Sequence, residues 1–91
     1  MKAIVCWEDF IGSWTPAELK DKLYEDNLDR DEDNQYDIRR FLAKIVDNTL
    51  GRAIGGHWDY WWTDRAYVDL VRMRYRDTST EGIVDCLMEL I

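Results

Sequence analysis

The segment 38–50 constrains the fold most strongly, because its apolar side chains repeat with the period of an amphipathic α-helix. Its predicted inward face consists of Ile38, Phe41, Leu42, Ile45, Val46 and Thr49. Gly51 follows at a position where helices commonly end. We expect Asp33 or Asn34 to cap the start of this helix, and Asp37 to complement its dipole. The remainder of a 91-residue chain must cover the apolar stripe of this helix.

Two other segments carry the signals of a helix start. Thr15-Pro16-Ala17-Glu18 combines a capping threonine, a proline at the first helical position and a glutamate that completes a capping box. We expect this helix to end near Glu25. Thr78-Ser79-Thr80-Glu81 forms a second capping box and predicts a C-terminal helix. The inward side chains of that helix are predicted to be Ile83, Leu87, Leu90 and Ile91.

Three segments favour strands. Residues 2–7 form a short apolar run, while residues 57–62 and 67–76 alternate in character and are rich in aromatic and β-branched side chains. The last two segments predict a hairpin, with Tyr67, Val71, Met73 and Tyr75 on one face of its second strand. The resulting order, β-α-α-β-β-α, predicts a single α+β domain over residues 1–91, with helices packed on a small, mainly antiparallel sheet.

Negative charge is concentrated in residues 25–37, which we call the acidic segment. Its seven acids are Glu25, Asp26, Asp29, Asp31, Glu32, Asp33 and Asp37. Arg30 is the one basic residue among them, so the segment carries a net charge of −6 in a chain of net charge −7. Such a field repels nucleic acid and anionic membranes and attracts basic protein surfaces. The alternative is an acidic loop that only keeps a small protein soluble.

The acidic segment also resembles part of a calcium-binding loop, since Asp29, Asp31 and Asp33 alternate as oxygen ligands would. The sixth position of that loop is Asn34 rather than glycine, and the twelfth is Arg40, where a bidentate glutamate is needed. A cation at a ligand position argues against calcium binding. We therefore predict no metal and no cofactor.

The aromatic run 57–62 supplies a candidate contact for a partner. In a strand, Trp58, Tyr60 and Trp62 share one face, and Trp61 points to the opposite side. Tryptophan is enriched at the centres of protein interfaces. We therefore predict that Trp61 contacts a partner or a second copy of the chain, the alternative being that the run belongs to the core.

Arg72, Arg74 and Arg76 would line one face of the second hairpin strand. Such a stripe could bind phosphates. Pairing with Asp59, Asp64 or the acidic segment is the favoured interpretation, because cross-strand charge pairs stabilise a sheet.

Catalysis finds little support in the sequence. His57 is the only histidine, no glycine-rich phosphate loop is present, and the spacing of the carboxylates fits an exposed face better than a pocket. Two cysteines do not form a disulfide framework, the N-terminus becomes acidic too early for a signal peptide, and no apolar run is long enough to cross a membrane. We expect a cytoplasmic protein that is not an enzyme.

These features predict a non-enzymatic inhibitor with an acidic, aromatic-anchored surface that blocks a basic nucleic-acid-binding protein or a nuclease by mimicking DNA. Phage and mobile-element proteins directed against restriction or CRISPR machinery are similar in their small size and acidity, although this similarity involves no shared motif. Direct binding to nucleic acid or membranes is not expected. The alternatives are a small self-assembling structural subunit, formed as a homodimer through the aromatic strand, and an immunity protein against a nuclease toxin.

Overall fold

A computed structural model describes residue 5, residues 7–52 and residues 65–91. These residues form four α-helices of ten residues or more, one short α-helix and one 3₁₀ turn, and no β-strand. In chain order they are α1 (Trp7–Ile11), α2 (Pro16–Leu28), the 3₁₀ turn (Glu32–Asn34), α3 (Ile38–Thr49), α4 (Arg65–Arg74) and α5 (Thr80–Glu89). The predicted α+β domain with its sheet is therefore wrong, because the described chain is all-helical. None of these helices is long and apolar enough to cross a membrane.

α2 begins at the predicted capping box. The Thr15 hydroxyl accepts a hydrogen bond from the Glu18 backbone N–H at 3.2 Å, and the Glu18 carboxylate accepts one from the Thr15 backbone N–H at 3.3 Å. These two bonds satisfy donors that the first turn of a helix leaves without an intrahelical partner. The helix continues to Leu28, beyond the end predicted near Glu25.

α3 occupies the segment with the helical apolar repeat, as predicted. Its N-cap is Asp37 rather than Asp33 or Asn34, since the Asp37 carboxylate accepts a hydrogen bond from the Arg40 backbone N–H at 2.7 Å. Gly51 follows the helix with φ of +71°, a left-handed conformation that glycine adopts without steric cost.

α3 also lies at the centre of the fold, because it packs against each of the other four helices and most extensively against α5. Its predicted inward face is buried from Phe41 to Thr49, while Ile38 is half-buried. The other helices and the turn after α4 supply the remaining buried core residues: Phe10, Ile11, Leu19, Val71, Tyr75, Ile83, Val84 and Leu87. One continuous apolar core therefore joins all five helices.

α4 replaces the second strand of the predicted hairpin. Its buried side chains are Val68 and Val71, and Tyr75 in the turn that follows is also buried, so the three are spaced by three and four residues as on one face of a helix. Met73, predicted to share a strand face with Val71 and Tyr75, is 76% exposed. Over this short stretch, the apolar residues fit both the two-residue period of a strand and the 3.6-residue period of a helix. Packing against α3 favours the helix, although the residues individually prefer strands.

Other predictions meet the structure in part. The first hairpin strand, 57–62, lies outside the described residues, as does most of the predicted strand 2–7, whose last residue, Trp7, begins α1. α5 starts one residue later than the capping box implies, because Ser79 caps it by accepting a hydrogen bond from the Gly82 backbone N–H at 3.1 Å. Leu90, predicted to point inward, is exposed.

Candidate protein-binding surface

The acidic segment connects α2 to α3. Glu25 and Asp26 lie in α2, Asp29 is its C-cap, and Asp37 is the N-cap of α3. The acids between them belong to the 3₁₀ turn and its N-cap: Asp31, Glu32 and Asp33. Asp26 is half-buried and the other six predicted carboxylates are exposed. The structure thus presents nearly all of this charge to solvent on one continuous stretch of chain.

The side chain of Asn27 holds the acidic segment against α2. Its Nδ2 donates a hydrogen bond to the Tyr36 carbonyl oxygen at 2.9 Å, and its Oδ1 accepts one from the Tyr36 backbone N–H at 2.8 Å. A single amide therefore satisfies both backbone groups of a residue nine positions away, as a neighbouring strand would. This pair of hydrogen bonds, which we call the Asn27 clamp, joins the two ends of the loop and restricts its motion.

Two guanidinium groups, those of Arg30 and Arg40, lie over the ring of Tyr36. The Cζ atoms of Arg30 and Arg40 lie 4.2 and 5.3 Å from its centroid. Arg30 Nε also donates a hydrogen bond to Asp26 Oδ2 at 3.0 Å, and this bond raises the pKa of Arg30 above its usual value. Such cation–π contacts stabilise the loop at the surface. Arg30 inside the acidic segment and Arg40 on α3 are therefore both used in the local structure, and the six exposed carboxylates face solvent.

An open groove of about 350 Å³ runs over this segment. It is lined by Asp29, Arg30, Asp31, Asp33, Asn34, Tyr36 and Arg40. Within residues 5, 7–52 and 65–91, no group of three or more His, Cys, Asp or Glu side chains is placed to hold a metal ion. The alternating aspartates thus do not converge as calcium ligands do. The groove instead presents separate carboxylates, groups that can pair with Lys or Arg side chains.

Tyr24 and Leu28 add an apolar component that the sequence pattern does not single out. They lie one turn apart on α2 and are 68% and 64% exposed, whereas Leu19 on the same helix is buried. The i, i+4 spacing of Tyr24 and Leu28 shows that they share one face of a helix. That this face points to solvent becomes clear only once Leu19 is known to be buried. Trp61, the predicted aromatic contact, lies outside the described residues.

A second polar cluster lies inside the fold. The Asp9 carboxylate on α1 is 4% exposed and accepts three hydrogen bonds from α4 and the turn after it. Tyr67 Oη donates at 2.7 Å to one carboxylate oxygen, while Tyr75 Oη and Arg74 Nη1 each donate at 2.8 Å to the other. These contacts use both oxygens of a buried carboxylate, so we interpret the cluster as a structural link between α1 and α4.

Tyr67 is expected to ionise late in an alkaline titration. The hydrogen bond to Asp9, aided by burial, raises the pKa of Tyr67 from 10.0 to about 12, since a phenolate would face a carboxylate. The stabilising effect is complete below the pKa of the unfolded chain, near 10, and is lost as the pH rises through the folded value near 12. Absorbance at the phenolate band checks this: Tyr67→Phe should remove a phenol that titrates near pH 12. Loss of a phenol that ionises near pH 10 would contradict the assignment.

Two arginine side chains, those of Arg52 and Arg72, lie near the C-terminal end of α3. Arg72 Nε donates a hydrogen bond to the Thr49 carbonyl oxygen at 2.9 Å, and Arg52 Nη2 donates to the Tyr75 and Arg76 carbonyl oxygens at 3.2 and 3.4 Å. Arg72, on α4, thereby caps the end of α3, and Arg52, which follows α3, satisfies carbonyl groups of the turn after α4. Because a helix rises about 1.5 Å per residue, the length of α3 separates this end from the acidic segment by about 18 Å.

The predicted arginine stripe is therefore wrong. Arg72 caps α3 and Arg74 pairs with Asp9, so neither pairs with the acidic segment or lines a common face with the other. Arg76 lies in the turn after α4 and is largely exposed. Asp59 and Asp64, the other predicted partners, lie outside the described residues. The helical path of α4 turns Arg74 toward Asp9, whereas Arg72 and Arg76 line a groove with Arg52.

Comparison with known proteins yields no relative: the chain matches no protein-family model, no curated protein and no solved structure.

Proposed function

We propose that this chain is a non-enzymatic inhibitor that binds a partner protein through its acidic segment and blocks a basic nucleic-acid-binding or nuclease surface. The observation that carries the proposal is the presentation of six exposed carboxylates on a loop held between two helices. Its place of action would be the cytoplasm of a host cell, as for inhibitors of restriction or CRISPR machinery.

The physical basis is the likeness of this surface to a nucleic-acid backbone. Proteins that bind DNA use rows of Lys and Arg to neutralise closely spaced phosphates. The acidic segment offers such rows a similar density of negative charge, with a net charge of −6 over 13 residues. The Asn27 clamp also lowers the entropy that the loop loses on binding, because the loop is ordered before contact. The negative charge and the ordered conformation of the acidic segment together support the proposal that it competes with nucleic acid for a basic groove of the partner.

Reversing three charges should weaken partner binding without affecting the fold. In the variant Asp31→Lys/Glu32→Lys/Asp33→Lys, we expect at least about a tenfold loss of affinity and a shallower salt dependence. The three side chains are exposed and belong to the 3₁₀ turn, so helical circular dichroism should not change. Isothermal titration against the captured partner at several salt concentrations measures both effects.

A matched variant distinguishes the effect of charge within the acidic segment from the effect of the net charge of the chain. Asp69→Lys/Asp77→Lys/Glu81→Lys makes the same change in net charge at exposed positions outside the acidic segment. We expect it to retain most of the affinity. Equal losses in both variants would mean that only the total charge matters, and unchanged affinity in the first would contradict the proposal.

The partner itself can be identified by capture. A tagged chain is incubated with host lysate at low and high salt, and bound proteins are identified by mass spectrometry. We expect a nucleic-acid-binding protein or nuclease that is released by salt and by added DNA or RNA. Recovery of the chain alone, regardless of salt, would instead indicate a self-assembling subunit.

A further inference from the structure

Two exposed apolar residues, Tyr24 and Leu28, accompany the acidic segment: Tyr24 immediately precedes it and Leu28 lies within it. Both side chains are more than three-fifths exposed and lie one turn apart at the end of α2. Asp21 and Glu25, at adjacent positions of the same helix, are also exposed. A surface that only imitated a phosphate backbone would need carboxylates and no large apolar groups. The apolar pair therefore requires a separate explanation.

We infer that Tyr24, Leu28 and the acidic segment form one docking surface for a basic amphipathic helix of the partner protein. This inference rests on the proposed function and specifies the chemistry of the partner. An amphipathic helix binds through apolar side chains spaced by three and four residues. Its apolar stripe would cover Tyr24 and Leu28, and its flanking Lys and Arg side chains would face the carboxylates and the groove.

Charge complementarity favours this face over the other exposed apolar pair. Leu70 and Met73 on α4 are 60% and 76% exposed, but Met73 shares a groove with Arg52, Arg72 and Arg76. A basic helix placed there would meet guanidinium groups instead of carboxylates. Of the two pairs, only Tyr24 and Leu28 combine an apolar contact with an attractive field.

The exposed carboxylates and the apolar pair are expected to affect different rate constants of binding. Exposed charges act mainly on the association rate, because they steer the partner before contact. Burial of a tyrosine and a leucine acts mainly on the dissociation rate, because water must re-enter the contact before the proteins separate. Recognition of the partner would therefore depend on the match between its apolar stripe and this pair, in addition to its positive charge.

Two synthetic peptides of equal length, helicity and positive charge test the inference. One carries an apolar stripe at i, i+3, i+4 and i+7 spacing, and the other carries glutamine at those positions. We expect the native chain to bind the striped peptide about tenfold more tightly by fluorescence anisotropy. Tyr24→Ser/Leu28→Ser should abolish this difference and retain the salt dependence. Leu70→Ser/Met73→Ser is the matched control and should retain the difference.

The outcomes distinguish this inference from the proposed function. Equal affinity of the native chain for both peptides overturns the docking of an amphipathic helix but leaves an acidic binding surface. Failure of both peptides to bind at low salt overturns the proposed function as well. Self-association of the native chain that is abolished by Tyr24→Ser/Leu28→Ser would assign this face to a second copy, which also overturns the inference.

Discussion

Replacing Phe41 with alanine is expected to lower the free energy of unfolding by about 3–5 kcal/mol. Phe41 is 2% exposed on α3, the helix that packs against all the others, so the variant would leave a cavity at the centre of the core. The total free energy of unfolding of a small domain is only about 5–15 kcal/mol. We therefore expect the unfolding transition to shift to a much lower urea concentration, measured by circular dichroism and tryptophan fluorescence.

Leu70→Ala is the control for Phe41→Ala. It also removes a large apolar side chain from a helix, but from a position that is mostly exposed. Its effect on the free energy of unfolding should remain within about 0.5 kcal/mol. A similarly small effect of Phe41→Ala would contradict the central position of α3 in the core.

Replacing Asp9 with asparagine should have the second large effect, of about 1.5–3 kcal/mol, because hydrogen bonds to a buried charged group are lost. Asparagine retains the shape of the side chain but carries an NH₂ group where Asp9 has one of its two acceptor oxygens. At least one of the hydrogen bonds from Tyr67, Tyr75 and Arg74 to this side chain would then be lost, together with the ion pair to Arg74. Urea denaturation measures the loss, and proteolysis or hydrogen exchange should show α1 released from α4 before the remainder unfolds.

Glu8→Gln is the control for Asp9→Asn, since Glu8 is the exposed neighbour of Asp9 in the same short helix. The same chemical change there should alter the free energy of unfolding by less than about 0.5 kcal/mol. A second test combines Asp9→Asn with Tyr67→Phe. If the two residues act through one hydrogen bond, the double variant should lose less stability than the sum of the single variants.

Local signals predicted the start of α2 and most of α3. The Thr15–Glu18 capping box and the apolar repeat from Phe41 to Thr49 act within a few residues, so their information is complete in a short stretch of sequence. The acidic segment was likewise predictable as an exposed, charged stretch. The N-cap of α3 was misplaced because Asp33, Asn34 and Asp37 all have suitable side chains, and the sequence does not decide which is used.

Long-range packing decided what the sequence left open. Residues 67–76 fit a strand period through Tyr67, Val71, Met73 and Tyr75, and their aromatic and β-branched content strengthened that interpretation. Only the burial of Val68 and the exposure of Met73 distinguish the helix. The same holds for the binding surface, because the outward position of Tyr24 and Leu28 follows from how α2 packs. The link from Asp9 to Arg74 joins residues 65 positions apart and has no local signal.

Within residues 7–52 and 65–91, charge is separated along α3 and gives this part of the chain an electric moment. The acidic segment lies at the first end of this helix, and Arg52 and Arg72 lie at the other. A basic partner of the proposed kind would exert a torque that turns the acidic end toward it before the surfaces meet. Orientation during approach raises the fraction of collisions that lead to a complex. The arginine end would thus contribute to recognition without touching the partner.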